Sequence, residues 1–159
     1  MNLKLINADM SHSRNAWMWR NDPITRYYSR NNRMISWEDH DSWFRQLITH
    51  SECYLYIGMT VSPCIKNSIS MIRFDICSSS PKASEVSINI APQARGKGYG
   101  RLLLEKGTTE FTKEIKRSFR VIAEVGSDNV TSTRLFRSGG YSWIKTNKKN
   151  FNRYFQDLV

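Results

Sequence analysis

A glycine-rich stretch in the middle of the chain constrains the fold most. Residues 86–104 read VSINIAPQARGKGYGRLLL, an apolar strand that runs into Pro92, then three closely spaced glycines and a helix. Proline cannot donate to a sheet ladder, so it ends or splays the strand. Glycine lets the backbone turn tightly and bring N–H groups close to a ligand, and the helix start adds unpaired donors and a positive dipole end. Such an arrangement holds phosphate or pyrophosphate.

Two better-known glycine loops do not match this stretch. A P-loop requires Lys-Ser or Lys-Thr after its last glycine, whereas Gly100 is followed by Arg101. The spacing Gly-x-Gly-x-Gly also differs from the dinucleotide-binding G-x-G-x-x-G. The pattern Gln-x-x-Gly-x-Gly, which Gln93, Gly96 and Gly98 fill, resembles the acetyl-CoA pyrophosphate loop of the GNAT family of N-acetyltransferases.

The resemblance implies that acetyl-CoA is the cosubstrate and that backbone N–H groups of the loop hold its pyrophosphate. The residues assigned to this site are Arg95, Gly96, Lys97, Gly98, Tyr99, Gly100 and Arg101. Just before the loop, a strand that splays at Pro92 leaves N–H groups unpaired. Those near Ile90 and Ala91 are predicted to bond the pantetheine arm or the thioester oxygen.

A second motif of the family follows the next predicted strand. In the family an Asn after that strand contacts the pantetheine arm, and a short helix then ends at a glycine and an aromatic residue. The matching residues here are Asn129, Ser132, Leu135, Phe136, Gly140 and Tyr141. The resemblance therefore assigns Asn129 and Phe136 to the coenzyme site. Many members carry a tyrosine at the position of Phe136, near the coenzyme sulfur, and phenylalanine has no proton to give.

Composition and charge limit the classes of protein to which this sequence can belong. With 159 residues, 40% hydrophobic and 12% aromatic, the sequence predicts one folded domain over residues 1–159. It has no apolar run of membrane-spanning length and no signal peptide, and Cys53, Cys64 and Cys77 lack metal-ligand spacing. We expect a cytoplasmic protein with no metal and no membrane partner. The net charge of +10 favours an acidic partner, and without a nucleic-acid motif the polyanionic coenzyme A is the expected one.

Hydrophobic periodicity and turn residues predict the element order β-α-α-β-β-β-α-β-α-β-β. The fold class is α+β, a single domain with a central mixed β-sheet flanked by helices, and this order also resembles the GNAT family over nearly the whole chain. Residues 24–35, between the first two helices, are predicted to be irregular and basic. Residues 63–67 are predicted to form a turn, and residues 78–82 a loop.

Acetyl transfer to an amine requires a neutral amine and a proton for the leaving thiolate. Glu124, on the strand beside the loop, and Glu85, at the start of the strand before it, are candidate bases that would order a water to collect the amine proton. A salt-bridged or solvated acid is the alternative for both. Tyr141 and Tyr154 are candidate acids by residue type, with a packed core tyrosine as the alternative. Protonation by water is also left open.

The N-terminal third carries the candidate acceptor site. Aromatic and basic residues are dense between positions 19 and 44, and this stretch resembles that of family members that acetylate nucleotide-linked amino sugars of the pseudaminic acid type. Aromatic rings stack on a base or sugar, and arginines pair with a diphosphate. The residues assigned to substrate binding are Arg20, Asn21, Arg30, Trp37 and His40. The alternatives are core tryptophans, solvated arginines and a structural histidine.

Three functions are compatible with these features. The first is N-acetylation of a small-molecule amine, which we expect to be the amine of a nucleotide-linked amino sugar. The second is N-acetylation of a protein N-terminus, as in ribosomal-protein acetyltransferases. The third, which Phe136 supports, is a non-catalytic acetyl-CoA-binding module. Arginines that converge on one pocket would favour the first, and an open acidic or neutral groove the second. The oligomeric state is open, with a homodimer as one possibility.

Overall fold

The structure is a computed structural model that describes residues 2–61 and 66–158. Cys64 and most of the predicted turn at 63–67 lie outside the described residues. The elements, in chain order, are β1 (Lys4–Asn7), α1 (Ser13–Asn21), α2 (Pro23–Tyr27), α3 (Trp37–Thr49), β2 (Cys53–Val61), β3 (Lys66–Cys77), β4 (Ser80–Ile90), α4 (Tyr99–Ile115), β5 (Phe119–Gly126), α5 (Val130–Ser138), β6 (Ser142–Ile144) and β7 (Phe151–Leu158).

In the described part of the chain, seven strands form one sheet in the order β1-β2-β3-β4-β5-β7-β6. Strands β4 and β5 are parallel, with α4 as their crossover, and the other neighbouring pairs are antiparallel. A crossover of this kind needs a connection long enough to return to the same end of the sheet, which a 17-residue helix provides. The predicted α+β class with a mixed sheet flanked by helices is confirmed.

The parallel pair is short, and this opens the middle of the sheet. Residues 83–85 of β4 pair with residues 120–122 of β5, and beyond Glu85 β4 pairs with β3 alone. From Val86 to Ile90, one edge of β4 therefore has no strand beside it. The opening lies directly before the glycine loop, at the place where the sequence predicts a splayed strand.

The main core lies between one face of the sheet and helices α4 and α5. Phe111 of α4 stacks on Phe74 of β3, with ring centroids 4.4 Å apart and planes inclined by 6°. Gly107 allows α4 to approach closely, since a Cβ atom there would lie 2.8 Å from Cδ1 of Ile72. A smaller cluster on the opposite face packs α1 and α3 against β2. The sheet thus has a helix-covered back and a front that the N-terminal third only partly covers.

Helix α2 is the element that the sequence prediction missed. Residues 24–35 are predicted to be irregular, but Pro23 occupies the first helical position and Asp22 caps the helix by accepting a hydrogen bond from Thr25 N at 3.0 Å. Proline at this position has the right φ and lacks only an N–H that the helix does not use. Asn21, Asp22 and Pro23 predict the end of the preceding helix, but Asp22 and Pro23 also begin the next one. The predicted loop at 78–82 is also shorter, because β4 begins at Ser80.

Candidate active site

Two of the three loop glycines adopt a conformation that favours glycine. Gly96 has φ of 72° and Gly98 has φ of 77°, and Gly98 is the N-cap of α4. A Cβ atom on Gly96 would meet nothing within 4 Å, so its backbone faces open space. Gly100 is helical, and a Cβ atom there would make an ordinary 3.5 Å contact with Leu135. The left-handed turns and the unpaired first N–H groups of α4 fit a pyrophosphate, and Lys97 and Arg101 are exposed beside them.

The side chain of Arg95 turns away from the loop. Its Nη1 donates to Asp22 Oδ2 at 2.8 Å, Nη2 donates to Thr25 Oγ1 at 2.8 Å, and Nε donates to the Ile90 carbonyl at 3.2 Å. The assignment of Arg95 to the coenzyme therefore holds for its backbone at most, because its guanidinium is already bound to α2 and to the end of β4.

The open edge of β4 offers one of the two predicted backbone donors. Ala91 N donates to the Ile69 carbonyl at 2.8 Å, so the prediction that its N–H is unpaired is wrong. Bonded and non-bonded positions alternate along an antiparallel pair, and Ile90 is consequently turned the other way, toward the opening. Ile90 N–H is thus the donor that remains for a pantetheine arm or a thioester oxygen.

Asn129 caps α5. Its side-chain oxygen accepts a hydrogen bond from Ser132 N at 3.0 Å, which is the N-cap interaction of an Asn placed just before a helix. The residue is half-buried in the loop that follows β5, across the opening from β4. A contact between its amide group and the coenzyme arm remains a prediction.

Three aromatic residues considered near the coenzyme sulfur belong to the core. Phe136, Tyr141 and Tyr154 are 5%, 4% and 4% exposed. The rings of Phe136 and Tyr141 are 5.1 Å apart and nearly perpendicular, and Tyr154 Oη donates to Thr133 Oγ1 at 3.5 Å. Burial raises the pKa of Tyr141, which makes it a weaker acid. The assignment of Tyr141 as the catalytic acid is therefore corrected to a packed tyrosine.

Glu124 is the centre of an ion-pair network, and its role as a base is corrected accordingly. Arg30 Nη2 and Lys148 Nζ each lie 2.7 Å from Glu124 Oε2, and Arg153 Nη2 lies 2.6 Å from Oε1. Burial by itself raises the pKa of Glu124, but hydrogen bonds from Lys148 and Arg153 and the charge of Arg30 outweigh it and lower the pKa to about 2. Such a carboxylate takes up a proton poorly at neutral pH.

The same network accounts for Glu85 and Arg30. Arg30 bridges Glu85 of β4 and Glu124 of β5, where the two strands begin to part. The predicted base Glu85 is therefore an ion-pair partner. The predicted substrate ligand Arg30, whose side chain is 49% exposed, is bound to these two protein carboxylates.

A cavity of about 390 Å³ lies on the front of the sheet between α1, the segment after α2, α3 and the strands β3 and β4. It reaches Ser87, Ile88 and Asn89, which belong to the unpaired part of β4. Its lining comprises Ala16, Arg20, Thr25, Ser29, Ile35, Asp39, His40, Trp43, Met71, Arg73, Ser87, Ile88 and Asn89. Of the five predicted acceptor residues, Arg20 and His40 line this cavity.

His40 is a buried neutral side chain in the cavity wall. It is 2% exposed and stacks between Trp37 and Phe44, with centroid distances of 6.0 Å and 5.6 Å. Burial lowers the pKa of His40, and the Ser13 carbonyl only partly opposes this. Because Nε2 lies 3.0 Å from the Ser13 carbonyl, we assign the proton to Nε2. Among the described residues no group hydrogen-bonds to Nδ1.

Asn21 and Trp37 support the cavity from behind. Asn21 Nδ2 donates to the Ile35 carbonyl and Asn21 Oδ1 accepts from Ile35 N, both at 2.9 Å. Trp37 packs edge-on against Trp17, with ring centroids 5.7 Å apart, and Trp17 Nε1 donates to the same carbonyl at 2.9 Å. Neither residue is in the lining of the cavity: Asn21 holds Ile35, which lines it, and Trp37 packs on Trp17, so substrate binding by these two residues stays a prediction.

Several cavity residues were not singled out from the sequence. Ser87 and Asn89 alternate with apolar residues along β4, and this alternation was a usable signal for one polar face. Arg73 gave no such signal, because its place opposite Ser87 follows from the register of β3 against β4. Its guanidinium lies 5.4 Å from the ring centroid of Trp43 and is paired with Asp75.

Two further observations concern membrane-spanning helices and metal-ligand groups among the described residues. No helix within residues 2–61 and 66–158 is long and apolar enough to span a membrane. Within those same ranges, no three residues among His, Cys, Asp and Glu are grouped as metal ligands, and Cys53 and Cys77 are free thiols.

A family comparison matches most of the chain. The family model described as an acetyltransferase (GNAT) domain matches residues 3–142. A sequence comparison with curated proteins gives no significant match.

Solved structures with the same fold cover nearly the whole chain. A domain from Methanocaldococcus jannaschii is 18% identical, with a TM-score of 0.84 and coverage of 99% of both chains. Spermidine N-acetyltransferase from Vibrio cholerae, solved with CoA and spermine, is 16% identical, with a TM-score of 0.83 and coverage of 98% of this chain and 95% of that one. An aminoglycoside acetyltransferase in complex with coenzyme A is 12% identical, with a TM-score of 0.78 and coverage of 98% and 94%. At these identities the likeness shows the fold alone.

Proposed function

Since this chain belongs to the GNAT acetyltransferase domain family, whose acetyl donor is acetyl-CoA, we propose that its acceptor is the primary amine of a nucleotide-linked amino sugar. The predictions of an N-acetyltransferase and of acetyl-CoA as cosubstrate are confirmed by the family match. The nature of the amine is the part that we propose. A cytoplasmic location and a homodimer remain predictions.

The observation that carries the proposal is a cavity with two arginines beside the open edge of β4. Ser87, Ile88 and Asn89 form one wall of this cavity, so an amine bound there lies next to the strand that offers Ile90 N–H. Arg20 and Arg73 stand in the lining with one carboxylate, that of Asp39. The lining therefore presents two guanidinium groups, of which that of Arg73 is paired with Asp75 outside the lining.

Guanidinium groups in the lining distinguish between classes of amine. The two similar structures named above are enzymes for spermidine and aminoglycosides, which carry several positive charges. Two guanidinium groups would repel such acceptors and attract an acceptor with an anionic group. The planar guanidinium of arginine can also donate two parallel N–H hydrogen bonds to two oxygens of a phosphate. An amino sugar that is linked to a diphosphate carries such an anionic group.

The size of the cavity favours a small amine with a larger group outside. A volume of about 390 Å³ lies near the lower end of small-molecule sites. An amino-sugar ring fits within such a volume, and the nucleotide would then extend over the segment 27–33, whose Arg33 is exposed. Tyr27 at the start of this segment is 68% exposed and offers a ring for stacking.

The residues of this chain contribute binding and orientation to the reaction. The glycine loop holds the pyrophosphate, Ile90 N–H is the donor available to the thioester oxygen, and the cavity orients the amine. Because Glu124 and Glu85 are held by cations, we assign no side-chain base, and the amine proton passes to water. When bound, acetyl-CoA supplies the acyl group and the thiolate leaving group.

A panel of acceptors tests the proposal. The purified protein is incubated with acetyl-CoA and with UDP- and CMP-linked amino sugars, spermidine or a peptide with a free N-terminus, and the released CoA thiol is measured. We expect at least one nucleotide-linked amino sugar to exceed spermidine and the peptide in kcat/KM by more than tenfold. Turnover of the peptide alone would replace the proposal with N-terminal acetylation. Acetyl-CoA binding without turnover of any acceptor in the panel would contradict the proposed acceptor class.

Two matched arginine variants test the role of the cavity charge. Arg73→Gln removes a cavity guanidinium that pairs with Asp75, and Arg45→Gln removes a guanidinium that pairs with Asp41 on the exposed side of α3. We expect Arg73→Gln to raise the KM for the sugar nucleotide about tenfold and to leave the KM for acetyl-CoA unchanged. Equal effects of the two variants on the acceptor KM would contradict an anionic acceptor in this cavity.

A further inference from the structure

Helix α2 is tied to the loops on both sides of the opening in the sheet. At its N-terminus, Asp22 and Thr25 accept hydrogen bonds from Arg95 of the glycine loop. At its C-terminus, Tyr27 Oη donates to Oδ2 of Asp128, in the loop between β5 and α5, at 2.9 Å. The helix therefore spans the gap between the two loops that flank the opening.

The connection through Arg95 is the stronger of the two. Arg95 makes three hydrogen bonds that join the end of β4 to α2, and its side chain and that of Asp22 are 28% and 15% exposed. Burial alone would raise the pKa of Asp22, but hydrogen bonds from Thr25 N and Arg95 outweigh it and lower the pKa. The ion pair is thus formed and partly shielded from solvent, whereas the Tyr27–Asp128 bond is exposed.

The same short segment also forms part of the acceptor cavity. Thr25, which accepts from Arg95, lines the cavity together with Ser29 and Arg20. Ser29 is held to α2 because its Oγ donates to the Thr25 carbonyl at 2.6 Å. A single arginine therefore links the backbone of the glycine loop to two side chains in the cavity wall.

We propose that Arg95 is a positioning residue that couples coenzyme binding at the glycine loop to the shape of the acceptor cavity, through Asp22 and Thr25. Acetyl-CoA on the loop backbone restrains residue 95, and its guanidinium then restrains α2 and the wall residues Thr25 and Ser29. The coupling does not depend on which amine the cavity accepts. It predicts that the coenzyme stabilises α2 even in the absence of an acceptor.

Hydrogen exchange of the α2 backbone tests the proposal with coenzyme A as the probe. In the unaltered protein, saturating coenzyme A should slow amide exchange in residues 22–29 about tenfold. Arg95→Gln should still bind coenzyme A through the backbone of the loop but should lose this slowing. Arg120→Gln is the matched control: it also removes a guanidinium from an ion pair, the exposed pair with Asp157, and should keep the slowing. Slowing that persists in Arg95→Gln would overturn the proposal, because the coenzyme would then act on α2 by a route other than Arg95.

A second variant separates the coupling from helix stability. Asp22→Asn keeps a good N-cap for α2 and removes the charge that Arg95 binds. We expect this variant to show the same loss of slowing, with exchange in free α2 close to that of the unaltered protein. If Asp22→Asn retained the full effect of coenzyme A, the ion pair would not be the link. Failure of every nucleotide-linked amino sugar in the acceptor panel would leave this result unaffected, so the two proposals fail independently.

Discussion

Glu124 of β5 and Arg153 of β7 stand opposite each other in the sheet, and the guanidinium donates to the carboxylate at 2.6 Å. The carboxylate is only 1% exposed, while the side chains of Arg153, Arg30 and Lys148 around it are 36%, 49% and 51% exposed. One buried acid thus holds together β7, the segment after α2 and the turn before β7. This arrangement indicates a contribution to stability, since the acid cannot lose its partners without leaving a buried charge.

Replacement of Glu124 by Gln should therefore destabilise the protein. We expect a loss of about 2 kcal/mol in the free energy of unfolding at pH 7, which allows for the partial solvation of the three cations. Its folded-state pKa of about 2 lies below the ordinary value of 4.5, so the stabilisation is complete above pH about 4.5 and is lost as the pH falls toward 2. Denaturant unfolding at several pH values measures this. The matched control is Asp157→Asn, which breaks an exposed pair with Arg120 and should have a much smaller effect. A difference between unaltered protein and Glu124→Gln that does not shrink at low pH would contradict the assignment.

Gly98→Ala should weaken acetyl-CoA binding more than Gly100→Ala does. Gly98 has φ of 77°, which costs an L-residue roughly 1–2 kcal/mol, whereas Gly100 is helical with room for a methyl group. The free loop of Gly98→Ala should relax out of this turn and must return to it to bind, so we expect an increase of about tenfold in the dissociation constant, and little change for Gly100→Ala. Titration calorimetry with coenzyme A measures both, and thermal unfolding confirms that each variant is folded. Equal affinities for the two variants would contradict the placement of the pyrophosphate at this turn.

Asn129→Ser separates capping from coenzyme contact. Serine caps a helix as well as asparagine does, so α5 and the unfolding temperature should be nearly unchanged, but its side chain is shorter. If the amide group of Asn129 reaches the pantetheine arm, the KM for acetyl-CoA should rise several-fold, by roughly the value of one hydrogen bond. An unchanged KM would mean that Asn129 is a cap alone.

Phe136→Tyr should produce little gain in turnover. Phe136 is 5% exposed and packs against Tyr141, so an added hydroxyl would be placed in the core with no assured partner. A positioned general acid typically contributes about 10²- to 10⁴-fold, and we expect a change in kcat well below that range. Steady-state rates with the best acceptor from the panel provide the measurement. A protein inactive with every acceptor until Phe136 is changed would instead support a non-catalytic module with a vacant acid position.

Local features of the fold were predictable because they depend on neighbours in the chain. The tight turn at Gly96 and Gly98 and the helix that begins after it follow from a few consecutive residues. Alternating strands and apolar helix stripes also predict the fold class, because each apolar face must pack against another layer of secondary structure. Helix α2 was missed because Asp22 and Pro23 are signals for both a helix stop and a helix start.

The sequence by itself determined the family, the acetyl donor and the glycine loop that we propose holds it, because their signals lie within one strand, one turn and one helix start. Only the tertiary structure decided which groups Glu124, Arg95 and Arg30 bind. Arg30 and Glu124 are 94 positions apart, and Arg95 and Asp22 are 73 apart. A charged side chain in a sequence is free to be a base, a ligand or an ion-pair partner. The choice depends on which charges the fold brings within about 3 Å, and strand register and helix packing set that distance.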